Sequence, residues 1–301
     1  MPKKSWTCLL AGLLALLPAA RARQPANAPV PDVRQLMLEV QAHQKQLDNV
    51  RENYTYTSLE TTEDVDASGH VKKTETVKQD NFFVNGHLIA RTVESDGKPL
   101  AGHALSRENE RVTKMVEKAE KTPPGQPLEG PSISVSRLLD IMDVRNPRRE
   151  EFRGRPTIVF DFIGRKDAKT HGLAEDASKK LKGTLWIDEA DKQVAQLEVG
   201  FDGNFRIAGG LLATIQKGSS FRFDQAPVNT GEKDVGSGEK DSSPGNGELW
   251  LPTGGEGTMQ VRLMLVKGIR QRFSERDYGF KRFRVETEQT KDAKAVPEKT
   301  K

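Results

Sequence analysis

The sequence predicts an α+β chain in which helices cover one face of a curved antiparallel sheet. Three observations predict this. A helical period over 33–52 ends at Tyr54, where segments rich in Thr, Val and Tyr begin, joined by short turns. Helical composition returns at 101–121 and at SVSRLLDIMD (134–143). Strand-like segments then resume and run to about 287.

The elements can be justified in chain order. Residues 1–22 carry Lys3 and Lys4, an apolar run from Leu9 to Leu17, and Ala20-Arg21-Ala22. This is the pattern of a secretory signal peptide, expected to be cleaved, because the run is too short to span a bilayer. Cys8 lies inside it and is the single cysteine. The exported chain is therefore expected to be held by its core alone, without a disulfide. Lys3, Lys4 and Arg21 also account for most of the surplus of 47 basic over 43 acidic residues. The remaining charge is nearly balanced, which gives no warrant for a nucleic-acid partner. No later segment is apolar for long enough to cross a membrane, so a soluble exported protein is expected.

A Pro/Ala-rich leader (23–32) precedes Asp32, which stands at an N-cap position with Gln35 three residues on. Val33, Leu36, Met37, Val40, Leu47 and Val50 fall mostly on one helical face. YTYTSLETTEDVD and VKKTETVKQDNFFV read as strands joined at ASGH. Asn85-Gly86 between apolar runs is a strong hairpin signal, and SDGKPL closes the next strand. The helix at 101–121 is charged and has only a thin stripe: Leu105, Val112, Met115, Val116 and Ala119. It is expected to rest on a surface. TPPGQPLEGP breaks it.

Further strands are read in EEFRGRPTIVFDFIG, LKGTLWIDEA, KQVAQLEVGF, LLATIQKGSSFRFD, GELWLPT, TMQVRLMLVKG and IRQRFSERDYGFKRFRVETE. Residues 224–247, rich in Gly, Ser, Asp and Lys, are expected to form a long flexible loop, and 291–301 a polar tail. A single domain is expected over 33–290.

The chemical candidates are weak. Asp188-Glu189-Ala190-Asp191 spells the acidic box of RNA helicases, yet no phosphate loop ending in Gly-Lys-Ser/Thr accompanies it. Flanking strand residues make a turn the better reading, with the Asp side chains bonding nearby amides. His43, His70, His87, His103 and His171 are scattered, and no zinc spacing is present. The acidic turn lacks the spaced ligands of a calcium loop. No nucleophile elbow or related motif occurs, so no catalytic residue, cofactor or metal is expected. Asn53-Tyr54-Thr55 matches a glycosylation sequon.

The order of elements, with GTLWIDEADKQVAQLEV, LATIQKGSSFRF, ELWLPT and DYGFKRFRVET, resembles outer-membrane lipoprotein-sorting (LolA-like) proteins and related RseB-like periplasmic regulators. The resemblance covers about 150–287, and 33–95 more loosely. It implies an incomplete β-barrel of about eleven strands, closed by helices over an apolar cavity. It also implies a periplasmic carrier of acyl chains, lipoprotein or other lipid. Leu138, Leu139, Met142, Ile158, Phe160, Phe162 and Trp186 are the residues expected to line that cavity. Two features depart from a simple carrier, the helix at 101–121 and the long loop. The alternatives are an envelope scaffold or sensor with a filled core, which meets a protein partner, and third, a hydrolase.

Overall fold

The computed structural model describes residues 30–128, 133–230, 248–264 and 266–283. The signal peptide, most of the leader, most of the 224–247 loop and the polar tail lie outside the described residues.

Helix α1 (Val33–Arg51) starts where its cap requires, with Asp32 accepting from the Gln35 amide at 2.8 Å. It buries Leu36, Val40, Gln44 and Leu47, one stripe at helical spacing. Strands β1 (Tyr54–Val65), β2 (Val71–Val84), β3 (His87–Ser95) and the two-residue β4 (Lys98–Pro99) form the expected meander. The β2–β3 turn has Asn85 at φ 50° and Gly86 at φ 78°, as a type I′ hairpin demands. Helices α2 (Gly102–Lys121) and α3 (Val135–Ile141) follow. Ser134 caps α3, and Ser136 ties it to α1 through Asp48 at 2.7 Å.

The second half comprises β5 (Met142–Phe152), β6 (Arg155–Gly164), α4 (Leu173–Ser178), β7 (Leu181–Asp188) and β8 (Val194–Phe201). Short β9 (Phe205–Ile207) and β10 (Ala213–Ile215) precede β11 (Ser220–Asn229), β12 (Glu248–Leu263) and β13 (Lys267–Arg282). Eleven strands form one continuous path, ordered β4-β3-β2-β1-β13-β12-β11-β8-β7-β6-β5, with β9 and β10 branching from β12. All pairings are antiparallel, and the first and last strands of the path do not meet. The sheet is open, as an incomplete barrel requires.

Several expected boundaries shift. Met142 and Asp143, read as helix, begin β5, and Arg153-Gly154 make a tight turn inside EEFRGRPTIVFDFIG. Arginine at φ 51° carries none of the usual turn chemistry, so the turn is hidden in sequence. Residues 224–229, expected in the flexible loop, are strand and pair with 248–254. LLATIQKGSSFRFD divides at Lys217-Gly218 into β10 and β11, while GELWLPT and TMQVRLMLVKG join through Gly254, Gly255 and Gly257 as one strand. α4 had no expectation.

Each open edge is guarded. Along β3, Glu108 of α2 accepts from the Thr92 amide at 2.7 Å, and Arg111 donates to the Ala90 carbonyl. One carboxylate and one guanidinium thus satisfy the backbone groups that another strand would take. Asn85 and His87 complete the docking by bonding the Ala119 and Thr122 carbonyls at the end of α2. At the far edge, β5 is broken by a register shift between Arg145 and Arg148, around Asn146 and Pro147. A proline and three arginines at this edge discourage a further strand.

Candidate functional site

The inner face of the sheet is the face that α1 and α3 cover. Ile158, Phe160 and Phe162 of β6 share it with Leu185 and Ile187 of β7, and Leu197 and Val199 of β8. Leu36 and Val40 of α1 and Leu138 and Leu139 of α3 close over them. Six of the seven residues expected to line a cavity meet here: Leu138, Leu139, Met142, Ile158, Phe160 and Phe162. Their exposures run from 0 to 8%, so side chains fill the space among them. Each fully buried large apolar side chain stabilises by about 2 kcal/mol.

Trp186 is placed elsewhere. It pairs with Val159 while its neighbour Leu185 pairs with Phe160, so strand alternation turns it to the opposite face. There it lies 5.9 Å from the Phe152 ring, beside a second cluster around Trp250. Its spacing from Ile187 in the sequence already implied opposite faces.

The apolar character of the inner face continues beyond the helices. Phe205, Ile215, Phe221 and Phe223 pack against the rim of the core and are only half-buried. By register, Val261, Ile269 and Phe273 extend this tract across β12 and β13. Phe273 lies over Gly257, whose missing side chain makes room for the ring: a Cβ there would come within 2.4 Å of it.

Further along β13 the chemistry changes. Glu275 lies opposite Glu60, and Asp277 opposite Ser58, on the same face. Burial, then the Glu275 charge, pushes the Asp277 carboxyl up to about 7. Burial and the charge of Glu60 raise Glu275 as well. Two like charges directly opposite on a sheet destabilise it, and Glu275 and Glu60 are such a pair. Nearby, Asn81 donates to Ser58 at 2.9 Å, Tyr56 stacks on Phe280 at 5.2 Å, and the Arg51 guanidinium lies 5.9 Å from the centre of the Phe83 ring. Arg51 Nε and Asp277 Oδ1 are buried polar atoms with no hydrogen-bond partner among the described residues. One row across the inner face therefore reads Phe160, Leu185, Leu197, Phe223, Gly255, Glu275, Glu60 and Val77.

A hollow of about 560 Å³ lies at the outer end of α3, lined by Gln41, Leu139, Met142, Ala168 and the charged Arg137, Asp140, Arg165, Asp167 and Lys169. Arg137 is held by a two-pronged bond to Glu175, which keeps that carboxyl near 2. The hollow is thus rimmed by charge over an apolar base.

The acidic turn is structural. Asp188 is 1% exposed and accepts from the amides of Ala190 and Asp191. Arg155 donates to both Asp188 and Asp191, and its guanidinium lies 5.4 Å from the Trp250 ring centre. Trp250 donates to Asp191 at 3.0 Å, and Arg149 pairs with Glu189. Every acid of the four-letter box thus has a structural partner, as the turn reading expects. Among the described residues, no three His, Cys, Asp or Glu gather in a way that could hold a metal ion. No described helix is long and apolar enough to cross a membrane.

No protein-family model matches the chain, and comparison with curated sequences returns no match. Among solved structures, it is similar to a DUF1329 family protein from Desulfovibrio piger, with TM-score 0.34 and 9% identity over 82% of this chain and 92% of that one. It is also similar to a domain assigned to outer membrane lipoprotein sorting from Vibrio parahaemolyticus, with TM-score 0.32 and 14% identity over 84% and 94%. Neither likeness identifies a residue or an activity in this chain.

Proposed function

We propose that this chain is an exported envelope protein that binds the acyl chain of a lipid or lipoprotein on the inner face of its sheet, without covalent chemistry. The observation that carries the reading is the half-buried tract of Phe205, Ile215, Phe221, Phe223 and Phe273, which prolongs the core past the cover of α1 and α3. An acyl chain laid along it removes apolar surface from water at about 0.8 kcal/mol per methylene, enough for reversible holding. Along β13 the same trough passes into Glu275 and Asp277, where an unpartnered carboxyl oxygen can meet a polar head. The six buried residues around Phe160 then serve as the floor, and the short helix α3 as the part that yields. The seventh, Trp186, lies outside the trough.

The test is uptake of a fluorescent fatty acid, with native mass spectrometry of the exported protein. Phe221→Asp with Phe223→Asp is expected to weaken uptake by roughly tenfold or more, since each ring supplies about 1.5–3 kcal/mol of apolar contact. A protein that takes up no fatty acid and carries no extractable lipid overturns the proposal.

The filled space under α1 favours a second reading, an envelope scaffold or sensor that meets a protein partner. The outward charges of α2 are its natural surface, because Glu108 and Arg111 are committed to the sheet edge while Glu110, Lys114 and Glu117 are exposed. Charge reversal at Glu110, Lys114 and Glu117 removes a captured partner on this reading and leaves it on the first.

A further inference from the structure

Beyond residue 32, two long stretches of the chain contain no acidic residue: 203–223 and 257–274. In a sequence with 43 acids this is a marked segregation of charge, and the fold brings the two stretches together. β10 pairs with β9 on one side and β12 on the other, and the Met264 amide donates to the Leu212 carbonyl at 3.2 Å. The β9–β10 connection and the β12–β13 hairpin therefore end side by side.

Their tips expose aliphatic side chains. Val266 is 86% exposed, Met264 72%, Leu211 69% and Leu212 61%. Four of the five most exposed large apolar side chains among the described residues lie at this one end of the sheet. Met264 stands at φ 46° and Gly210 at φ 96°, so tight backbone turns hold the tips outward.

Behind the tips lie cations. Arg206, Thr214 and Arg262 form one cross-strand row on the outer face, and Arg270 follows on the same face opposite Gln260. Lys267 adjoins Val266. All four cations are exposed, and Arg206, Arg262, Lys267 and Arg270 make no ion pair among the described residues. Elsewhere the surface is different, for arginines such as Arg145, Arg148 and Arg149 are each paired with acids.

We propose that this end of the sheet docks on an anionic phospholipid surface. Leu211, Leu212, Met264 and Val266 enter the boundary of the acyl region, and the arginines and Lys267 meet the phosphates above it. A hydrophobic tip alone suits many partners. Aliphatic tips backed by cations that form no ion pair among the described residues match a surface that is apolar below and negative above. The inference does not rest on acyl-chain binding in the trough. A protein could dock without carrying lipid, or carry lipid without docking.

The experiment is co-sedimentation of the full exported chain with vesicles of phosphatidylethanolamine and phosphatidylglycerol, against vesicles of phosphatidylcholine. Binding is expected to the anionic vesicles and to fall with added salt. Lys267→Glu with Arg270→Glu should weaken it by roughly tenfold or more, since each cation near such a surface contributes about a fivefold factor. Met264→Ser with Val266→Ser should weaken it as well and leave the melting temperature unchanged, because neither side chain is packed. In an independent measurement, Val266→Trp should show a blue-shifted emission with anionic vesicles and quenching by brominated lipid. Phe221→Asp with Phe223→Asp should keep vesicle binding while weakening fatty-acid uptake, which separates failure of this proposal from failure of the trough. Absence of vesicle binding, binding insensitive to both tip and charge variants, or a tip that captures only a protein overturns the inference.

Discussion

The two halves of the inner face share one sheet and one register, yet they differ in what they bury. Over β5 to β8, Phe160, Leu185 and Leu197 lie in line under α1 and α3 and exclude water. Over β13 and β1, the same row continues as Glu275 and Glu60, carboxyl groups in place of apolar side chains. Gly255 stands between them, where the row changes from one chemistry to the other. The lesson is that strand pairing does not make a core. Cover makes one, and the helices on this face suffice for one half. The other half stays wet enough for carboxylates and greasy enough at its rim for Phe223 and Phe273.

The comparison can be broken most directly in the filled half. Phe160→Ala removes a fully buried ring and should destabilise by about 4 kcal/mol, read as a lower urea midpoint. A loss below about 1 kcal/mol would mean that the space is loosely packed, and the contrast between the halves would fail. Arg155→Ala tests the acidic turn beside the second cluster. It leaves the buried Asp188 without its guanidinium and should destabilise by about 3 kcal/mol in the same measurement.

The remaining predictions concern the thinly covered half. Glu108→Ala uncovers the Thr92 amide, so a loss of about 1–2 kcal/mol is expected, with self-association visible in light scattering as the edge of β3 opens. Asp277→Asn should have the opposite sign. The folded value of Asp277, about 7, lies above the ordinary 3.8, so between these limits the folded chain holds more proton than the unfolded one. Stability from this group is therefore present at acid pH, declines as pH rises through that window, and is lost above it. The amide should raise stability at pH 8 by about 1–2 kcal/mol and flatten its pH dependence between about 4 and 7. An unchanged pH profile would show that the acids of this half carry no penalty.

Much of this architecture was legible in the residues. The capped amphipathic α1, the Asn85-Gly86 hairpin, the stripe on α2 and the alternation of Ile158, Phe160 and Phe162 all follow local rules, since each depends on neighbours within a few positions. The acidic turn was legible for the same reason: Asp188 bonds amides two and three residues away. Trp186 was misplaced because composition overrode the alternation that set it apart from Leu185. The trough was not legible, because Phe205, Phe221 and Phe273 come from three strands and gain meaning only in register.

What the sequence determined by itself is the succession of helices and strands, and which face of each is apolar, because these are periodicities along the chain. Only the tertiary structure decided which apolar faces are covered. It set Glu275 opposite Glu60, and it brought the acid-free tips around Leu212 and Met264 together. The physical reason is that burial and charge proximity are relations between segments far apart in the chain, fixed by the order of strands across the sheet.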